Sequence, residues 1–63
     1  MTVTIKSKEV NQNYIAIEQE KFSTAYKVIL VDKFGRIDRQ NIYGTMEQAK
    51  RCFYNYTKAA KTF

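Results

Sequence analysis

The sequence predicts an α+β fold: one domain over residues 1–63, with an antiparallel four-stranded β-meander followed by one C-terminal α-helix packed on one sheet face. Three observations predict it. Apolar residues alternate with polar ones in short stretches up to Tyr43 and recur at three- and four-residue steps from Met46 onward. Turn-forming residues separate those stretches. Of the 63 residues, 28 are hydrophobic and 15 are Leu, Ile, Val or Phe, too many for a chain that stays disordered.

The first strand is Thr2 to Lys6, with Val3 and Ile5 on one face. Ser7 to Asn13 is polar except for Val10 and reads as the first turn. Asn13 to Glu20 alternates again, Ile15 and Ile17 facing one way, Tyr14, Ala16, Glu18 and Glu20 the other. Lys21-Phe22-Ser23 reverses the chain into Thr24 to Asp32, which is apolar on both faces near its centre, as a central strand is. Asp32-Lys33-Phe34-Gly35 is the clearest turn: Asp opens a type I turn and Gly takes the left-handed position after it, together making a three-residue hairpin with a bulge. Arg36 to Tyr43 then returns antiparallel. Strict alternation across that hairpin sets Val31 opposite Ile37, Ile29 opposite Arg39 and Lys27 opposite Asn41.

Gly44-Thr45 ends the sheet, and Thr45 with Gln48 forms a T-x-x-Q capping box for the helix. Ala49, Phe53, Tyr56, Ala60 and Phe63 form its apolar stripe, flanked by Cys52 and Ala59. The expected core is Tyr26, Val28, Leu30, Ile42, Ala49, Phe53, Tyr56 and Ala60. A single helix covers one face of a sheet. The other face is then expected to carry Lys27, Ile29, Val31, Ile37, Arg39, Asn41 and Tyr43.

Eleven Lys and Arg against six Asp and Glu give a net charge of +5. Such a balance favours polyanionic partners and also serves simple solubility. The absence of histidine, with a single cysteine, excludes a His/Cys zinc site, a Ser-His-Asp triad and an intrachain disulfide. Glu18 and Glu20 share a strand face but read as an exposed carboxylate pair, and Cys52 reads as a packing residue. No nucleophile is spaced from a base, so neither catalysis nor a cofactor is expected. The longest aliphatic run, Val28 to Val31, is far too short for a membrane span. An unpaired thiol fits the cytoplasm, and Met1 followed directly by a strand pattern reads as an unprocessed start.

Three uses of the open face compete: a nucleic-acid reader, a homodimer seam, or a docking surface for another protein. For the first, Lys27, Arg39 and Asn41 offer phosphate and base-edge contacts and Tyr43 offers stacking, with Arg51, Tyr54 and Lys58 (and Lys61 beyond them) assisting from the helix. For the others, Ile29, Val31 and Ile37 supply apolar anchors, joined by Phe34 at the hairpin tip.

From Tyr26 to Lys58 the chain resembles the arm-type sheet-plus-helix DNA-binding domain of tyrosine recombinases (integrases). The resemblance rests on the strand Tyr26 to Asp32, the turn Gly35, the basic return strand Arg36 to Arg39, and Thr45-Met46-Glu47-Gln48-Ala49 opening the helix. It implies DNA rather than RNA, contacted by Lys27, Arg39, Asn41 and Tyr43 from the face away from the helix. The chain departs from that family in Gln48, where Glu is usual, and in a longer N-terminal hairpin. The same element order is similar to single-stranded-DNA-binding coactivator folds, which dimerise. Tiny single-domain chains are also typical of phages and mobile elements, where many inhibit host proteins such as CRISPR nucleases. A protein-binding inhibitor using the apolar sheet face is therefore the alternative.

Overall fold

The computed structural model describes residues 2–62. It has the expected architecture: β1 (Thr2–Val10), β2 (Asn13–Glu20), β3 (Tyr26–Val31) and β4 (Ile37–Tyr43) form one antiparallel sheet in sequence order, and α1 (Met46–Ala60) packs across it. Phe63, expected to end the helix stripe, lies outside the described residues, as does Met1.

The first hairpin is longer than the polarity of Ser7 to Asn13 implies. β1 runs to Val10, and Asn11 and Gln12 alone form the turn, with φ of 51° and 68°. Two consecutive left-handed residues make the mirror-image turn whose twist matches paired strands. Lys8 and Glu9 look like loop residues in sequence because β1 is an edge strand, exposed to water along nearly all its length.

The β3–β4 turn forms as expected. The Asp32 carboxylate accepts the backbone N–H groups of Phe34 and Arg36, both at 2.9 Å, and Gly35 takes a φ of 82°. These bonds favour the ionised form, so the Asp32 carboxyl titrates below its usual range, the Arg36 amide contributing most. At the helix start Thr45 Oγ1 accepts from the Gln48 N–H at 3.3 Å.

The core lies between α1 and β2–β3. Ile15, Ile17, Val28 and Leu30 are fully buried, and Ala49, Cys52, Phe53, Tyr56 and Ala60 close over them. Tyr26 is half-buried at the margin. Ile15 and Ile17 belong to this core as fully as the third strand does, because each pairs directly across to Leu30 and Val28.

One expected core residue does not belong there. Ile42 is 67% exposed and points away from the helix. The cause is a β-bulge at Asp38: Val31 pairs with Ile37 as alternation requires, but Leu30 pairs with Arg39. The extra residue shifts the rest of β4 by one place and exchanges its faces. Arg39, Asn41 and Tyr43 therefore stand on the helix side, opposite Leu30, Val28 and Tyr26, whereas Gln40 and Ile42 stand on the open side, opposite Ile29 and Lys27. Among the described residues no helix is long and apolar enough to cross a membrane.

Candidate nucleic-acid interface

The open sheet face is not cationic. Cross-strand pairing puts Glu9, Glu18 and Glu20 on it beside Tyr14 and Lys27, and among the described strand residues Lys27 is its one cation. Arg39, Asn41 and Tyr43, expected here as contact residues, are on the opposite side because of the bulge. Ile29, Val31 and Ile37 do lie on this face: Ile29 is buried among its neighbours and Ile37 is 53% exposed. Phe34 projects from the hairpin tip, its ring flanked by Lys33 Nζ at 5.3 Å and the Arg36 guanidinium at 5.4 Å.

Positive charge gathers on the helix side instead. Lys6 and Lys8 pair with the core residues Ile17 and Ile15, which turns their side chains toward α1. Lys50 and Lys58 of α1, with Lys61 just past its end, reach toward the same place. The two sets enclose a groove of about 300 Å³ lined also by Phe53, Tyr54 and Thr57. Among the described residues none that lines it is acidic.

The aromatic floor is arranged by the cations. Lys6 Nζ lies 5.1 Å from the centre of the Phe53 ring, its stem covering the edge of the core. Lys58 Nζ lies 4.8 Å from the centre of the Tyr54 ring, and that ring is 61% exposed. The groove thus sets five ammonium groups, a chemistry able to neutralise anions such as phosphates, beside an exposed ring of the kind on which bases stack. Of the residues expected from sequence, Tyr54, Lys58 and Lys61 are in it. Lys6, Lys8 and Lys50 are not foreseen, although Lys6-Ser7-Lys8 has the spacing of two side chains on one strand face.

Arg51 faces the other flank of the helix, where it joins Asn41, Tyr43, Gln48 and Asn55 around a second cavity of about 370 Å³ floored by Cys52 and Tyr56. The Cys52 thiol beside Tyr43, with burial second, raises the Tyr43 hydroxyl above its ordinary range, and the Asn41 amide opposes them. Burial, and then the same thiol, push Tyr56 up to about 12. Among the described residues no group of three or more Cys, Asp or Glu side chains is placed to hold a metal ion.

No family model, curated protein or solved structure matches this chain.

Proposed function

We propose that this chain is a non-enzymatic nucleic-acid-binding module of the cytoplasm, which seats phosphates of a single strand in the lysine groove between β1 and α1 and stacks a base on Tyr54. One observation carries this reading: lysines from two separate parts of the chain converge on exposed aromatic surface, with no carboxylate among the described lining residues. A solvated helix face needs no such convergence, since Lys6 and Lys8 come from the far edge of the sheet. The groove replaces the open sheet face as the binding surface because Glu9, Glu18 and Glu20 would repel a phosphate backbone there.

Salt-titrated binding to single- and double-stranded DNA and RNA tests this. If all five lysines neutralise phosphates, log K for a single strand falls with log salt at a slope of about −3.5, from roughly −0.7 per contact. Single strands should bind more tightly than duplexes, because only an unstacked base reaches Tyr54. Absence of binding to every polymer at about 50 mM salt would retire this reading. Inhibition of a host protein through the apolar face would then take its place.

A second reading concerns the open face. Tyr14, Ile37 and Ile42 are exposed around buried Ile29 and Ala16, an apolar centre on the side away from the groove. We propose that a second copy of the chain covers it, leaving both grooves outward. Sedimentation should show twice the 7.4 kDa chain mass, and Ile42→Glu should return the 7.4 kDa species. A wild-type chain that stays at 7.4 kDa at high concentration would remove the dimer.

A further inference from the structure

We propose that the cavity between β4 and α1, on the flank of the helix opposite the lysine groove, holds a purine base of the bound strand; this rests on the nucleic-acid reading above. Its rim is made of three carboxamides, Asn41, Gln48 and Asn55, together with the Arg51 guanidinium and the Tyr43 hydroxyl. All but Tyr43 are exposed at their ends, and Cys52 and Tyr56 beneath them are buried. The result is a recess floored by buried Cys52 and Tyr56, with donors and acceptors around its rim.

That rim is unlike the lysine groove in chemistry. An ammonium is a point charge and reads no base, whereas a carboxamide offers a donor and an acceptor in one plane. Asn and Gln match adenine N6 and N7, and Arg matches guanine O6 and N7, so both favour the purine edge. At about 370 Å³ the recess is in the size range of small-ligand sites. The two sites flank one helix, roughly 10–12 Å across with its side chains, so a strand that leaves the groove past Tyr54 crosses the crest at Arg51 to reach the recess. The guanidinium plane there is also a stacking surface for an unstacked base.

The bulge at Asp38 makes this possible. Without it, Asn41 and Tyr43 would be on the open face, and β4 would offer Gln40 and Ile42 to the recess in their place.

The test is fluorescence anisotropy with oligo-dA, oligo-dT and oligo-dC of one length, measured across a salt series. The wild-type chain should prefer oligo-dA by roughly ten-fold or more, the discrimination of one good bidentate contact. Asn41→Ala/Asn55→Ala should bring the three affinities within about two-fold while leaving the salt slope unchanged, since no phosphate contact is lost. Arg51→Lys, which keeps the charge but not the planar fork, should also lower the preference. A thermal melt confirms that each variant is folded. Equal wild-type affinity for the three oligomers, or a preference that survives in the folded double variant, overturns the purine site and leaves the groove intact. Failure to bind any oligomer overturns both.

Discussion

The side-chain amide of Asn11 donates to the backbone carbonyl of Lys61 at 3.1 Å, and to that of Ala60 at 3.3 Å. The turn of the first hairpin thus caps the C-terminus of the helix, where carbonyls have no partner within the helix. The same bonds tie the end of α1, beside Lys61 of the lysine groove, to the turn that follows β1, the strand that supplies Lys8 to it.

Asn11→Gly should therefore lower stability by about 1 kcal/mol, two partly solvated bonds at roughly 0.5 kcal/mol each. Glycine keeps the left-handed φ of 51°. Asn11→Ala should cost about 2 kcal/mol, because an alanine in that region adds strain to the lost bonds. Urea unfolding of the two variants checks the order. Equal losses would mean that the cap contributes and the backbone conformation does not.

The bulge at Asp38 yields a contrast between two aliphatic residues. Leu30→Ala removes a fully buried side chain and should cost roughly 2–5 kcal/mol, enough to unfold much of a domain this small. Ile42→Ala, on the open face of the chain, should change the stability of the monomer by no more than about 0.5 kcal/mol. Dilute urea titrations separate them. A large loss for Ile42 would put that residue under the helix and return β4 to strict alternation.

Charge removal within the groove should be legible in the salt dependence. Lys8→Gln/Lys61→Gln should flatten the single-strand slope by about 1.4, two contacts at roughly 0.7 each. Lys27→Gln, on the open face beside Glu18, should leave the slope unaltered. If Lys27 flattens it and the groove pair does not, the sheet face is the phosphate site after all.

Tyr56 sets an alkaline limit. Its hydroxyl titrates near 10 when free and is pushed up to about 12 in the folded chain, mainly by burial. The folded state therefore holds a proton that the unfolded state releases, and stability falls as pH rises from about 10 to about 12. Tyr43 adds to the loss in the same direction. Thermal melts should be flat in pH up to about 9 on this account and decline beyond about 10. Tyr56→Phe, which keeps the ring and removes the hydroxyl, should make that decline shallower. An unchanged decline would assign it to other groups.

Much of this fold can be read from the residues. Asp32 to Gly35 announces its turn because only certain side chains satisfy that backbone, and Thr45 announces the helix for the same reason. The face assignment of β4 could not be read in that way. Ile37 and Ile42 are an odd number of residues apart, so regular pleating sends them to opposite faces, and only the extra residue at Asp38 reunites them. Nothing local marks Asp38 as that residue. The groove was half legible: Tyr54, Lys58 and Lys61 stand out in the helical stripe, but Lys6 and Lys8 join them only through the pairing of β1 with β2. Contacts between distant segments leave no trace in short-range spacing.

The two irregular pairings have a consequence for edge-to-edge aggregation. β1 and β4 are the outer strands, and each departs from regular register, at Ile5 and at Asp38. A twisted, interrupted rim is a poor template for a further strand, and the lysines on β1 repel a like neighbour. Growth by hydrogen-bonded strand addition, the route to fibrils, is thereby discouraged at both ends. A short chain can keep an apolar sheet face in water under that condition, since stacking of faces, as in the dimer proposed above, closes after two copies, whereas strand addition does not.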